Sequence, residues 1–168
     1  QERELQDKNG NWYSMRIMPY RTVDNVIDGV VVTFVDINKL KQTKELNRLA
    51  TVVRDSNDAI TVQDIAGNIL AWNKGAEQVY GWSEAEALQM NIRELVPKSK
   101  HKELEELTKR LKNGETITSI ETQRICKNGK LFSVWLTMTV LKDAGGKPVE
   151  IATTERDISE LINFRLNR

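Results

Sequence analysis

Cysteine and histidine are nearly absent: each occurs once in 168 residues, as Cys126 and His101. A single cysteine excludes an internal disulfide framework. One His and one Cys cannot build a structural zinc site of Cys and His ligands. Ser–His–Asp catalysis would have to rest on His101, which has no supporting context. Charge of one sign is also missing, with 25 basic and 24 acidic residues. No basic stripe points to nucleic acid. No apolar run approaches the roughly 20 residues needed to span a bilayer, and no signal peptide is visible. Nucleophile–base pairs, glycine-rich phosphate loops and carboxylate clusters are lacking as well. What is present is 39% hydrophobic and 29% charged sequence, enough for a packed core. The length suits one full domain and a fragment. The scarcity of cysteine fits a reducing, cytoplasmic setting. An Arg- and Glu-rich start without Met suggests a fragment of a longer chain.

The chain is written partly twice. Lys8-Asn9-Gly10 leads through Trp12, Tyr13 and Ser14 to Asp36-Ile37-Asn38, and Lys127-Asn128-Gly129 leads through Leu131, Phe132 and Ser133 to Asp157-Ile158-Ser159. The triplets lie 119 residues apart and the Asp-Ile pairs 121 apart. That two-residue slip is most simply placed in the hairpin loop around Gly145-Gly146. An internal repeat decides how the fold is read: the second copy has a whole domain before it, the first only residues 1–7.

Asn-Gly pairs signal tight hairpins. After the second one, Phe132, Val134, Leu136, Met138 and Val140 share a face, a strand pattern with its apolar side to the core. Asp143–Gly146 turns the chain into a strand over 149–156. Trp12–Tyr20 and Gly29–Val35 play the same parts in the first copy. Between the copies, 39–54 reads as a connecting helix with Leu40, Leu46, Leu49, Ala50 and Val53 on one side. Strands follow at 59–63 and 69–72. Short helical pieces come next, with Asn73 as a cap and Ser83 with Glu86 as a capping box. A longer helix over 98–112 stops at Asn113-Gly114. The order predicts an α+β fold: a five-stranded antiparallel sheet with helices over one face.

Strand order and local motifs together resemble a PAS domain. The stretches that carry the resemblance are Asp58–Asp64, Gly67–Asn73, Ala76-Glu77, Gly81-Trp82-Ser83 with Glu86, the Asn128-Gly129 hairpin and Arg156-Asp157-Ile158-Ser159. They cover about 105 residues in the family's order. Met90 stands where the family usually has Gly, and Asn128 where Asp is commoner. Residues 1–38 resemble the closing half of a preceding PAS domain as a partial β-hairpin. Trp12-Tyr13, Arg16, Pro19–Thr22, Gly29–Val31 and Phe34–Ile37 look similar to PAS segments of chemotaxis methyltransferase/methylesterase fusion proteins. The domain boundaries expected are 1–38, a connecting helix 39–55, a complete domain 56–158 and the start of an output helix 159–168.

The resemblance implies a sensory or interaction module that passes the state of a ligand or partner through its C-terminal helix to an output domain outside this chain. The ligand pocket expected from it is walled by Ile60, Val62, Leu70, Trp72, Val79, Met90, Leu95, Val134, Leu136 and Met138, with Glu155 as a polar member. Arg156, Asp157 and Ile158 are the expected relay, Asp157 capping the exit helix. Haem is disfavoured, because His101 lies too close behind Pro97 and between two lysines. Flavin photochemistry is disfavoured too: the Asn-Cys-Arg-Phe-Leu-Gln motif is absent and Cys126 precedes a hairpin. No cofactor and no metal is expected, and no enzyme within this fragment; the parent would be a receptor methyltransferase or a sensor histidine kinase. Glu155 stands opposite an aromatic, Phe34, in the repeat, so if it faces the core it needs a partner; Glu121 and Arg124 are further polar candidates. A second reading is a dimerising spacer with a filled core, supported by the apolar stripe of the connecting helix and by Leu131, Trp135 and Leu141 on the outer sheet face. The residues favour dimerisation and relay over recognition of a particular small molecule. The hairpin over 10–37 has apolar Met15 or Ile17, Val30, Val32 and Phe34 and cannot stand alone. It is expected to pair with the complete domain or with its own copy in a homodimer or strand-exchanged oligomer.

Overall fold

The computed structural model describes residues 2–166, which divide between Thr51 and Val52 into two compact units. In the first, β1 (Glu2–Gln6), β2 (Trp12–Arg21) and β3 (Ile27–Asp36) form a three-stranded antiparallel sheet. The expected hairpin therefore gains a strand: Glu2–Gln6 pairs with Trp12–Arg16 across the Asn9-Gly10 turn. Within this unit the strands over 10–37 hydrogen-bond to one another and to Glu2–Gln6. Their apolar side chains stay exposed all the same, Phe34 at 59% and Val30 at 65%.

The helix α1 (Asn38–Arg54) runs across the division, and Leu40, Leu46, Leu49 and Val53 on its apolar stripe are all exposed.

The second unit holds the expected five-stranded sheet, in the order β5-β4-β8-β7-β6. Its strands are β4 (Ala59–Asp64), β5 (Ile69–Trp72), β6 (Ile117–Ile125), β7 (Leu131–Lys142) and β8 (Pro148–Asp157). Between β5 and β6 lie α2 (Lys74–Tyr80), α3 (Glu84–Ala87), 3₁₀ turns at Ile92–Leu95 and Lys98–Lys100, and α4 (His101–Lys112); α5 (Ser159–Leu166) follows β8. The caps sit where expected. The Asn73 side chain accepts from Ala76 N, and Ser83 and Glu86 close a capping box. Leu104, Leu107 and Leu111 turn the amphipathic α4 inward onto Val134, Leu136 and Met138 of the sheet.

The two-residue slip between the copies is not in the hairpin loop. Loops 22–26 and 143–147 are equally long, whereas β7 is twelve residues and β2 ten. Asp36 consequently pairs with Tyr13 and Asp157 with Val134. An even slip is the kind a sheet tolerates, because side chains keep their faces.

One surface contact makes a pH-dependent prediction. Glu86 accepts from Lys127 Nζ at 2.6 Å and from the Ser83 backbone and hydroxyl, which hold its carboxyl down to about 2. The fold thus favours the ionised form. That contribution is complete above the ordinary value of 4.5 and fades as pH falls toward about 2. A carbon-detected NMR titration should place the Glu86 midpoint near the lower figure, and Lys127→Ala should move it up; a midpoint unchanged by that substitution would refute the assignment.

Candidate functional site

Directly opposed residues on neighbouring strands share a face. Ala59, Thr61 and Gln63 of β4 oppose Glu155, Thr153 and Ile151 of β8, and all six are buried on the helix-covered side. This corrects the expected wall at three places. Ile60 and Val62 fall on the other face of β4 and are half-buried. Leu70 is 47% exposed, because a bulge in the β4–β5 pairing skips it: Gln63 pairs with Ile69 and Val62 with Ala71. The remaining candidates do meet inside. Trp72, Leu95, Val134, Leu136 and Met138 are buried in one cluster, with Val79 and Met90 packed against its margin. Trp72 lies against Tyr80 with ring centres 5.2 Å apart and planes tilted by 44°, and Tyr80 meets Phe132 edge-on at 5.3 Å.

Glu155 faces the core and finds its partner in Arg124, not in Glu121, which lies exposed on the opposite face of β6. Arg124 Nε donates to the carboxylate at 3.2 Å and Nη2 at 3.3 Å, and the Tyr80 hydroxyl from α2 donates to the same group. Burial, then the Glu155 carboxylate, push the Tyr80 phenol well above its usual value, so it stays a donor. Burial opposes the Arg124 charge, but Glu155 outweighs it and the guanidinium is held above its ordinary value. Nearby, the buried Thr122 hydroxyl donates to Glu103 of α4, itself paired with Lys100 at 2.6 Å. Thr61 and Thr153 share a hydroxyl bond at 2.8 Å. The sheet interior is thus polar along β4, β8 and β6, and bonded to both α2 and α4.

Gln63 is the exception. It is 2% exposed, yet its Oε1 has no hydrogen-bond partner among the described residues. It lies at a groove of about 310 Å³ between the β4–β5 turn, the Ile92–Leu95 turn and α4, with Ile65, Ile92 and Leu104 as apolar wall and Arg93, Glu105, Lys109 and Lys112 around it. None of the residues expected to wall a pocket lines this groove. The misplacement follows from taking β4's apolar residues as its inner face. The signal was present in β8: if Glu155 points inward, so must Thr153, and so must the residues opposite them.

His101 is half-buried, its Nε2 lying 3.0 Å from Val96 O and 3.2 Å from Arg93 O. Cys126 is half-buried, with its Sγ donating to Val79 O at 3.2 Å, and burial pushes the thiol up. Among the described residues no three His, Cys, Asp or Glu come together as a metal site, and no helix is long and apolar enough to cross a membrane.

The residues expected to relay lie at a turn tied by three hydrogen bonds. Ile158 N donates to Ser133 O at 2.9 Å, Ser133 N to Ser159 Oγ at 3.3 Å, and Ser159 N to Asp157 Oδ1 at 2.8 Å. Asp157 sits one residue before the N-cap position, since α5 starts at Ser159, but it accepts the first helical N–H as expected. The first copy ties the same knot onto α1: Ile37 N to Trp12 O, Trp12 N to Asn38 Oδ1 and Asn38 N to Asp36 Oδ1. Arg156 forms a two-pronged pair with Asp58 at 2.9 and 2.8 Å, joining the end of β8 to the segment before β4.

An antiparallel sheet in this strand order, covered on one face by short helices and a longer α4, is the α+β architecture expected from the sequence. The PAS domain family matches residues 57–160 and, separately, residues 1–38. The chain belongs to the PAS domain family. The PAS domain of a protein from Colwellia psychrerythraea superposes with a TM-score of 0.65 at 25% identity, over 69% of this chain and 98% of that one. The sensor histidine kinase TmoS of Ectopseudomonas mendocina is 24% identical over 67% of this chain and 12% of its own length. An uncharacterized 104.1 kDa protein of Rhodobacter capsulatus is 39% identical over 45% of this chain and 8% of its own. The chain therefore spans about a tenth of the curated relatives it matches.

Proposed function

We propose that this chain is the sensing and relay segment of a signal-transduction protein, without catalysis of its own, acting on an output domain such as a histidine kinase or a receptor methyltransferase. The observation that supports it best is the knot at Asp157–Ile158–Ser159, repeated at Asp36–Ile37–Asn38. Each knot fixes the first turn of a helix to two strands. A change in how the strands lie is thereby passed to the helix that leaves them, and a cytoplasmic output domain would read its direction. Asp157→Ala removes the acceptor for the first helical N–H, a loss of about 1 kcal/mol at such positions. Hydrogen exchange at the start of α5 should rise several-fold while β7 and β8 keep their protection, and the output activity of the full-length protein should no longer follow its input. Unchanged exchange in α5, or intact regulation, would sink the relay.

A specific observation favours self-association beside it: Leu46, Leu49 and Val53 of α1 are exposed together, and Leu131 and Leu141 are exposed on the outer sheet face. Pairing of two chains along α1 would cover the first set. Sedimentation at micromolar concentration should show a dimer, weakened by Leu46→Glu; a monomer throughout would exclude this part.

A further inference from the structure

We infer that the outer edge of β3 is a docking site for a strand of the protein's own residues ahead of Gln1, which pairs antiparallel with Gly29–Phe34, and that the helices following that strand cover Val30, Val32 and Phe34. This surface is separate from the apolar stripe of α1 and from the Asp157 turn.

An open sheet edge invites pairing with another strand, and folds blunt such edges with short strands, charges or bulges. Three of the four edge strands here are blunted. β1 has five residues, of which Glu2, Arg3 and Glu4 are charged. β5 has four residues. β6 is broken by a register shift between Ile117 and Ile120, where Ser119 takes a φ of 52°. β3 has no such guard. It is ten residues long, and from Gly29 to Val35 it carries neither charge nor proline. β2 pairs with one of its edges, and β3 ends that sheet at the other.

The second unit shows what belongs there. β8 runs into Asp157-Ile158 as β3 runs into Asp36-Ile37, and each pairs with the strand before it and leads into a helix. β8, however, is an inner strand: β4 pairs with it from Asp64 opposite Glu150 to Ala59 opposite Glu155. Counted back from the Asp-Ile pairs, Glu150–Glu155 matches Gly29–Phe34. Ile151, Thr153 and Glu155 are buried under the helices, whereas the matching Val30, Val32 and Phe34 are exposed. β4 itself cannot fill the place, since β5 and β8 hold both its edges. A second copy of β3 would close the edge but leave the three apolar side chains in water, because a strand added beside a sheet does not cover its face. A strand followed by helices satisfies edge and face together, as β4 and α2 do for β8. Apolar side chains are expected on the incoming strand opposite Val30, Val32 and Phe34.

The test compares the 168-residue chain with the same protein carrying its natural preceding residues, over a length like that of 59–120. In the longer protein, amide exchange at every other residue of Gly29–Phe34 should slow by about tenfold or more, as those amides gain ladder bonds. NOEs should tie the same residues to an antiparallel strand of the added stretch. The Val30 and Val32 methyls and the Phe34 ring should lose contact with a soluble paramagnetic probe. Phe34→Ser should lower the melting temperature of the longer protein by several degrees and leave that of the 168-residue chain unchanged, since only there is Phe34 in water. Unaltered exchange and exposure in the longer protein, pairing of β3 with its own copy there, or an equal effect of Phe34→Ser on both proteins would overturn the site. Leu46→Glu and Asp157→Ala act on other surfaces, so self-association or the relay can fail while this site stands.

Discussion

Glu155→Ala should destabilise the second unit by about 3–5 kcal/mol, because it leaves the Arg124 guanidinium buried without its counter-charge. Both side chains are enclosed, Arg124 at 4% and Glu155 at 0% exposure, so water cannot take over. Tyr80→Phe should cost less, about 1–3 kcal/mol, as one neutral donor is lost from a carboxylate that keeps Arg124. The combined replacement Arg124→Met, Glu155→Leu and Tyr80→Phe removes all three polar members at similar volume and should return to within about 1 kcal/mol of the starting protein. Urea unfolding with constant slope measures all of these. A loss under about 1 kcal/mol for Glu155→Ala would mean the pair is solvated in solution. What the polar triad adds is placement rather than strength. It links α2, β6 and β8 at a residue two positions before the Asp157 turn.

Much of this was legible in the chain because it is local. Asn-Gly turns, the Asn73 and Ser83 caps and the alternation of β7 each act over a few residues, and all appear where the residues put them. The repeated Asp-Ile pair marked a turn whose hydrogen bonds the two copies share. What failed was the choice of face on β4. Asp58–Asp64 alternates apolar Ile60 and Val62 with Thr61 and Gln63, and hydrophobicity alone puts the first pair inside. Cross-strand pairing decides otherwise, since β4 must present to the helices the same face that β8 presents with Thr153 and Glu155. That information lies some 90 residues away in sequence and is invisible to a local pattern. The bulge that turned Leu70 outward has no local signature either. The groove was missed with them, because Gln63 was not among the residues expected to face inward.

Gly75→Ala is the second large effect expected, and helix propensity points the wrong way for it. Gly75 lies in α2, where alanine is worth about 1 kcal/mol over glycine. Its backbone is in the ordinary helical region, so no left-handed conformation is being accommodated. The constraint is distance: a Cβ there would stand 2.3 Å from Asp58 O and 2.6 Å from Ser56 O. Neither oxygen can swing away, because both belong to a backbone segment held from two sides. Asn73 Nδ2 donates to Asp58 O and to Val53 O, each at 3.0 Å, while its Oδ1 accepts from Ile60 N and Ala76 N. Arg156 grips the Asp58 carboxylate from β8. An added methyl must push α2 off this segment, breaking the Asn73 bonds or moving Tyr80 from Glu155. Overpacking of this kind costs about 1–3 kcal/mol, and more where backbone must move. A net loss of about 2 kcal/mol is expected once the propensity gain of about 1 kcal/mol is subtracted from the upper end of that range. Asn73→Ala should produce a similar loss, and the double variant less than the sum, because both act on one contact. Full additivity in chemical denaturation would show that Gly75 and Asn73 stabilise different things. The consequence reaches beyond stability. This contact is where the chain arriving from α1 is seated against the end of β8, so loosening it should also raise hydrogen exchange at the Asp157 knot, joining the incoming and outgoing helices at one place on the domain.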